Sequence, residues 1–255
     1  MRRSGTPARL GTTPALRLLV VTLLATSVSL AGCGVVPDLP TPVPADITGT
    51  ARPEPAPTAT GNLSPDGFDQ AQRMTVRIRN IGCSSLSTGS GFAIDATTLI
   101  TNRHVVDDSA HLQLSTYDGR DVAVTAASTA SLADLAVVRT AERLPAAPEL
   151  ADRDPTVGDP VTVVGYPLGG RLTVTSGRVT GRTTDPLHQS LGEVLVTDAP
   201  VEPGSSGSAA LDAQGRVIGV VYAKDSAGES FLVPVSTVRT MLADASAFTP
   251  VPACS

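Results

Sequence analysis

At 255 residues and 41% hydrophobic, the chain has the length and apolar content to bury one large core or two small ones, which excludes disorder of the whole. Its formal charge is −5, Lys224 is the only lysine and Trp is absent. An acidic chain without a basic stripe argues against nucleic acid as a partner.

The first 32 residues hold Arg2, Arg3, Arg9 and Arg17, no acidic residue, and an apolar run from Leu18 to Leu30 broken by Thr and Ser. A basic segment ahead of an apolar stretch too short for a comfortable membrane helix reads as an export signal. It ends in L-A-G-C, Leu30 to Cys33, which resembles the lipobox of bacterial lipoproteins. That resemblance implies cleavage before Cys33, diacylglycerol and palmitate-type acylation there, and a chain held to the extracytoplasmic side of the cell membrane. The plainer alternative is an ordinary secretory peptide with a chance cysteine. Cleavage removes four arginines and takes the formal charge from −5 to −9.

Residues 33–69 carry prolines at 37, 40, 42, 44, 53, 55, 57 and 65 among Ala, Thr and Gly. Such a composition cannot bury enough apolar surface to fold and predicts an extended tether.

From Met74 the texture changes to short alternating runs: M-T-V-R-I-R-N-I, G-F-A-I, H-L-Q-L, D-V-A-V and L-A-V-V. A second set follows the loop around 141–158: V-T-V-V-G-Y, L-T-V-T-S-G-R-V-T, E-V-L-V-T, A-A-L, V-I-G-V-V-Y and F-L-V-P-V. Period-2 alternation cut by Gly, Asp and Ser predicts antiparallel strands with one buried face. Two sets of about six predict an all-β fold of two six-stranded antiparallel barrels, one over 70–150 and one over 151–255. The exception is Val235 to Ala243, a short helix that Ser236 can cap. With Cys33 assigned to the lipid, Cys83 and Cys254 are expected to form a disulfide that pins the C-terminal tail to the first barrel, two free thiols being the alternative.

The chemistry centres on V-E-P-G-S-S-G-S-A-A-L, Val201 to Leu211, where Gly204 and Gly207 bracket Ser206 and allow a tight bend that exposes its hydroxyl. Upstream stand His104 in L-I-T-N-R-H-V-V and Asp134 in A-D-L-A-V-V. A general base needs a near-neutral imidazole fixed in tautomer by an acceptor, and Asp134, at the start of an apolar strand, can be that acceptor. The spacings fit His104 and Asp134 on the first barrel and Ser206 on the second, meeting at the seam. Ser208 is a competing nucleophile, but Ser206 has Gly two before and one after it.

T-N-R-H-V-V, D-L-A-V and T-D-A-P-V-E-P-G-S-S-G-S resemble the active-site segments of trypsin-like serine proteases, most closely the bacterial HtrA and MarP branches, over roughly 73–242. The resemblance implies a chymotrypsin-like fold, peptide hydrolysis through an acyl-enzyme, His104 as base, Asp134 as its orienter, Ser206 as nucleophile, and the N–H groups of Gly204 and Ser206 as the oxyanion hole. There are departures: Ser205, Ser208 and Ala209 stand for the usual Asn, Gly and Pro, and Arg103, expected to lean out to solvent, precedes the histidine.

By the same resemblance the substrate pocket is built by Pro200, Val201 and Glu202 and by Val221, Tyr222 and Ala223. With no aspartate at the level of Pro200, it is expected to take small or medium apolar side chains and not basic ones. His188 could line the pocket, or be an ordinary surface-loop histidine. The three histidines have no metal-ligand spacing, so no metal and no cofactor are expected. The chain ends a few residues past the short helix, with no PDZ-like domain behind it, and a tethered monomer is the expectation. The competing function is an idle trypsin-like domain serving as a protein-binding or chaperone-like surface lipoprotein.

Overall fold

A computed structural model describes residues 69–255 except 131, 188–190, 253 and 255. The export signal, Cys33, almost all of the tether, and His188 therefore lie outside the described residues. Asp69 opens the described chain as the N-cap of α1 (Gln70–Met74), in a reciprocal capping box with Gln72.

The first half forms one antiparallel sheet of eight strands in the order β14-β6-β7-β3-β2-β1-β4-β5. Its members are β1 (Thr75–Gly82), β2 (Leu86–Ala93), β3 (Thr98–Asn102), β4 (Ser109–Thr116), β5 (Asp121–Val122), β6 (Val124–Ala130), β7 (Leu135–Thr140) and β14 (Thr249–Pro250), with the one-turn helix α2 (Arg103–Val106) after β3. The second half is a closed barrel of six strands: β8 (Pro160–Gly165), β9 (Thr173–Thr184), β10 (Glu193–Thr197), β11 (Ala209–Leu211), β12 (Val217–Lys224) and β13 (Ser230–Pro234). Helix α3 (Val235–Ala243) follows.

Two closed barrels were expected; the second closes and the first does not do so by a ladder between its ends. The D-V-A-V run is the reason. It is divided at Ala123, so that β5 pairs with β4 while β6 has turned to pair with β7 and the C-terminal β14. Ala123 marks the corner, its N–H on Glu142 Oε2 at 2.9 Å and its carbonyl accepting from the Ala141 N–H. One chain segment thus serves both ends of the sheet.

Helix α3 also departs from expectation at its start. Pro234 is the N-cap and provides no side-chain bond. Ser236 lies inside the helix, and its N–H and hydroxyl both donate to the Asp154 carboxylate at 2.9 and 2.8 Å, so a distant aspartate satisfies the first turn.

Burial alternates along β9 but is continuous along β3, β11 and β13, and together the strands assemble two apolar clusters. The larger runs through the seam between the halves, from Ile78, Phe92, Leu99 and Leu135 to Val194, Tyr222, Phe231 and Val233; the smaller fills the second barrel around Val161, Leu195, Ile218 and Leu232. Cys83 and Cys254 are bonded, with their Cα atoms 5.6 Å apart, and β14 beside them pairs with β6, so the tail does belong to the first sheet.

Candidate active site

Strand register brings the first two site residues together. β3 and β7 are antiparallel neighbours with Asn102 opposite Leu135, so the residues just past the end of one and just before the start of the other must meet. His104 Nδ1 lies 2.7 Å from Asp134 Oδ2, and the His104 backbone N–H donates to Asp134 Oδ1 at 3.1 Å. The Asp134 carbonyl in turn accepts from the Arg103 N–H at 2.9 Å and from Asn102 Nδ2 at 3.0 Å. Asp134 adopts φ 45°, a left-handed conformation that aspartate tolerates better than most residues, and this bend lets carbonyl and carboxylate both face the turn after β3.

The carboxylate is buried, at 7% exposure, while the imidazole is open to solvent. A buried carboxylate needs donors, and here a ring N–H and a backbone N–H supply them. Arg103, expected to lean out, instead lies across the turn, with Nε 3.9 Å from Asp134 Oδ1 and 3.8 Å from Asp107 Oδ2. Burial holds the Asp107 carboxyl above its ordinary pKa, Arg103 opposing the shift and the Asp134 charge adding to it.

The loop carrying Ser206, the candidate nucleophile, joins β10 to β11, and its carbonyls are tied one after another. Glu202 O accepts from the Ser205 N–H at 2.8 Å, Pro203 O from the Leu168 N–H at 2.6 Å, Ser205 O from the Ser208 N–H at 2.9 Å, and Ser206 O from the Ser90 N–H at 2.8 Å. Gly204 O accepts from the Ser90 hydroxyl at 2.8 Å. A trans peptide points its N–H opposite to its carbonyl. Pro203 and Ser205 therefore turn the N–H groups of Gly204 and Ser206 away from Leu168 and Ser208, and among the described residues neither donates to a protein acceptor.

Gly204 and Gly207 sit at φ +92° and +85°. A Cβ at Gly204 would meet the backbone of Tyr166, Leu168 and Gly169, and one at Gly207 would run into the Ser90 carbonyl. Both glycines are thus required by conformation and by close approach. Ser206 is half-buried, whereas Ser208 is fully buried with its Oγ unpartnered among the described residues, which removes Ser208 as a nucleophile reachable by substrate.

The other site residues expected from sequence are spread around this loop. Pro200 and Glu202 are exposed, and Glu202 Oε2 pairs with Lys224 Nζ at 2.7 Å. Val201 and Val221 pack into the core of the second barrel, and Ala223 is half-buried. Tyr222 is buried in the seam and donates its hydroxyl to Asp185 Oδ1 at 2.9 Å. Burial, then the bond to Asp185, pushes its phenol well above the ordinary tyrosine value. Among the described residues no group of three His, Cys, Asp or Glu could hold a metal ion.

Sequence reasoning missed Ser90, which touches the nucleophile loop twice, and the turn Tyr166–Gly169, whose Leu168 holds Pro203 from a left-handed φ of 56°. The glycines on either side of Ser90 were the available signal of a strand pressed against its neighbours.

Among curated proteins, the chain is 36% identical over 163 residues to a putative serine protease HhoA of Synechocystis, covering 60% of this chain and 41% of that protein. It is 36% identical over 155 residues to the serine protease Do-like HtrA of Bacillus subtilis, covering 55% of this chain and 34% of that one. It thus spans less than half the length of either relative. Among solved structures, the Rv3671c protease of M. tuberculosis in its active form superposes with a TM-score of 0.64 at 28% identity, covering 76% of this chain and 93% of that one. The inactive form of the same protease superposes at 0.61 and 26% identity, covering 72% and 96%. Residues 89–220, just over half of the chain, match the trypsin-like peptidase domain, and with the His–Asp pair and the nucleophile loop described, the chain belongs to that family.

Proposed function

We propose that the chain is an extracytoplasmic, lipid-anchored serine endopeptidase acting through Ser206, His104 and Asp134. The observation that carries this reading is the His104–Asp134 pair at 2.7 Å, formed with every carbonyl from Glu202 to Ser206 already engaged. With the Nδ1–H donating to the Asp134 carboxylate, Nε2 is the nitrogen left to serve as base. Ser206 Oγ attacks the peptide carbonyl carbon as Nε2 takes its proton. The charge that develops on the carbonyl oxygen is met by the Gly204 and Ser206 N–H groups, and Asp134 stabilises the imidazolium. Nε2 then returns the proton to the leaving amine, and water hydrolyses the acyl-enzyme by the same route.

Export is supported by the disulfide, which closes a separation of 171 residues and belongs to an oxidising compartment, and anchoring by L-A-G-C at Cys33. The pocket beside Pro200 and Ala223 takes small or medium apolar side chains, and the tethered domain works as a monomer on protein or peptide substrates.

A fluorophosphonate probe and a casein substrate test the activity: labelling and cleavage by the wild type, both lost in Ser206→Ala, are expected. Absence of both in the folded wild type would instead support an idle binding domain. Cleavage preference for Arg or Lys before the scissile bond would overturn the pocket assignment. Radiolabelled palmitate incorporated by the full chain but not by Cys33→Ala tests the anchor.

A further inference from the structure

Ser90 lies on β2, in the half of the fold opposite the nucleophile, yet it makes more contacts with the catalytic loop than any residue of the proposed triad outside that loop. Its backbone N–H donates to Ser206 O at 2.8 Å. Its hydroxyl donates to Gly204 O at 2.8 Å and accepts from the Tyr166 N–H at 2.8 Å. Its carbonyl accepts from the Thr101 hydroxyl at 2.7 Å. The residue is fully buried, so none of these groups can exchange its partner for bulk water.

The hydroxyl's two bonds reach segments 114 and 76 residues away and use its donor and one of its acceptor positions. One segment is the Gly204 peptide; the other begins the turn whose Leu168 N–H holds the Pro203 carbonyl. The two carbonyls flanking the Gly204 N–H are thus oriented by one small network, Pro203 O through Leu168 and Gly204 O through Ser90, with Ser90 also anchoring the start of the Leu168 turn at Tyr166. Pro203 O shares its peptide plane with the Gly204 N–H, so the Leu168 turn sets the direction of that donor, while the Ser90 bond to Gly204 O holds the next peptide plane and with it the bend at Gly204. The backbone on either side is closely packed: a Cβ at Gly91 would lie 2.9 Å from the Ile100 carbonyl, and one at Gly207 would run into the Ser90 carbonyl.

We propose that Ser90 is the positioning residue of the oxyanion hole, its hydroxyl clamping the Gly204 peptide and the Tyr166–Gly169 turn in one arrangement. This rests on the assignment of Ser206 and of the Gly204 N–H made above. Ser90 touches no reacting atom; it acts by holding the donor where charge develops, which matters more to the transition state than to the bound substrate.

The test compares Ser90→Ala with Thr140→Val, a buried hydroxyl of the same sheet bonded to Thr97 O and Glu142 O and remote from the site. Both variants are expected to lower the thermal midpoint. Per active site titrated with fluorophosphonate, Ser90→Ala is expected to lose about 10- to 100-fold in kcat with KM changed less than about threefold, less than the roughly 10²- to 10³-fold cost of deleting an oxyanion donor because the N–H is displaced and not removed. Thr140→Val is expected to keep the wild-type kcat. Ser90→Cys, with a weaker donor, should fall between wild type and Ser90→Ala.

A Ser90→Ala enzyme with wild-type kcat per titrated site overturns the proposal. So does a chain that folds with neither alanine nor cysteine at 90, since the hydroxyl is then a requirement of folding. Wild type and Ser206→Ala report separately on the parent assignment. If that assignment fails, amide hydrogen exchange still decides the clamp: Ser90→Ala should speed exchange across both 163–170 and 200–209, and protection unchanged in either segment overturns it.

Discussion

Asp134 grips His104 twice, by Oδ2 on the ring Nδ1 at 2.7 Å and by Oδ1 on the backbone N–H at 3.1 Å. An amide in its place can keep the backbone bond, but it offers the ring either an oxygen or an NH2, and the second selects the wrong tautomer. Asp134→Asn is therefore expected to cut kcat by about 10³ to 10⁴, the scale of this change in Ser-His-Asp enzymes, with KM altered far less. Steady-state kinetics on a peptide ester, with the thermal midpoint as the check on folding, measures it.

Gly207→Ala should be the most damaging single methyl in the loop. It places a side chain at φ +85° and drives its Cβ into the Ser90 carbonyl, a backbone atom that cannot swing aside. The expected loss is about 2 to 4 kcal/mol, combining left-handed strain with overpacking. Denaturant unfolding of the variant, in an active or a Ser206→Ala background, checks it.

The Glu202–Lys224 pair bridges the nucleophile loop and the end of β12 at 2.7 Å, with both side chains well exposed. Solvent screening limits its effect on stability to less than about 1 kcal/mol. Its consequence is expected in substrate binding: Lys224→Gln should raise KM a few-fold, increasingly at low salt, and the exchange Glu202→Lys with Lys224→Glu should restore it. Kinetics across an ionic-strength series would show this, and a flat response would remove the pair from the pocket.

Reduction of Cys83–Cys254 loosens a tail that is also held by β14, by the Val251 N–H on Ala127 O and by Phe248 and Val251 against the apolar core. For a closed separation of 171 residues the loss is expected at about 2 to 5 kcal/mol. Calorimetry of Cys83→Ser, and of the wild type with and without reductant, should give matching falls in midpoint.

Acid should weaken the fold through its turns. The Thr116 hydroxyl beside Asp118 and the Ser246 hydroxyl beside Asp244 hold both carboxyls below the ordinary 3.8. The folded state thus takes up these protons less readily than the unfolded chain. Their contribution is complete above about pH 4 and fades as pH falls through the depressed folded values. Asp118→Asn is expected to lower the thermal midpoint at pH 7, where the contribution of the carboxylate is complete, and to flatten the decline between pH 4.5 and about 2.5, so that variant and wild type converge in acid.

The strands were legible in the sequence because alternation in M-T-V-R-I-R-N-I or H-L-Q-L is a local property: a half-buried strand needs one apolar face whatever it pairs with. His104, Asp134 and Ser206 were legible as types in an order, and Cys83 with Cys254 as the pair left for each other. What the sequence could not fix were partners decided by register and packing between distant segments. Asn102 opposite Leu135 brings the imidazole to its carboxylate, Ala123 turns one strand between two ladders instead of closing a barrel end to end, and Asp154 supplies the helix start that Ser236 was expected to cap. Ser90 is the clearest case, because a lone serine between two glycines carries no mark of the carbonyl its hydroxyl will find 114 residues on. A side chain's burial follows from its own neighbours in the chain, whereas a hydrogen bond needs its partner's position as well, and that exists only after the two halves have packed.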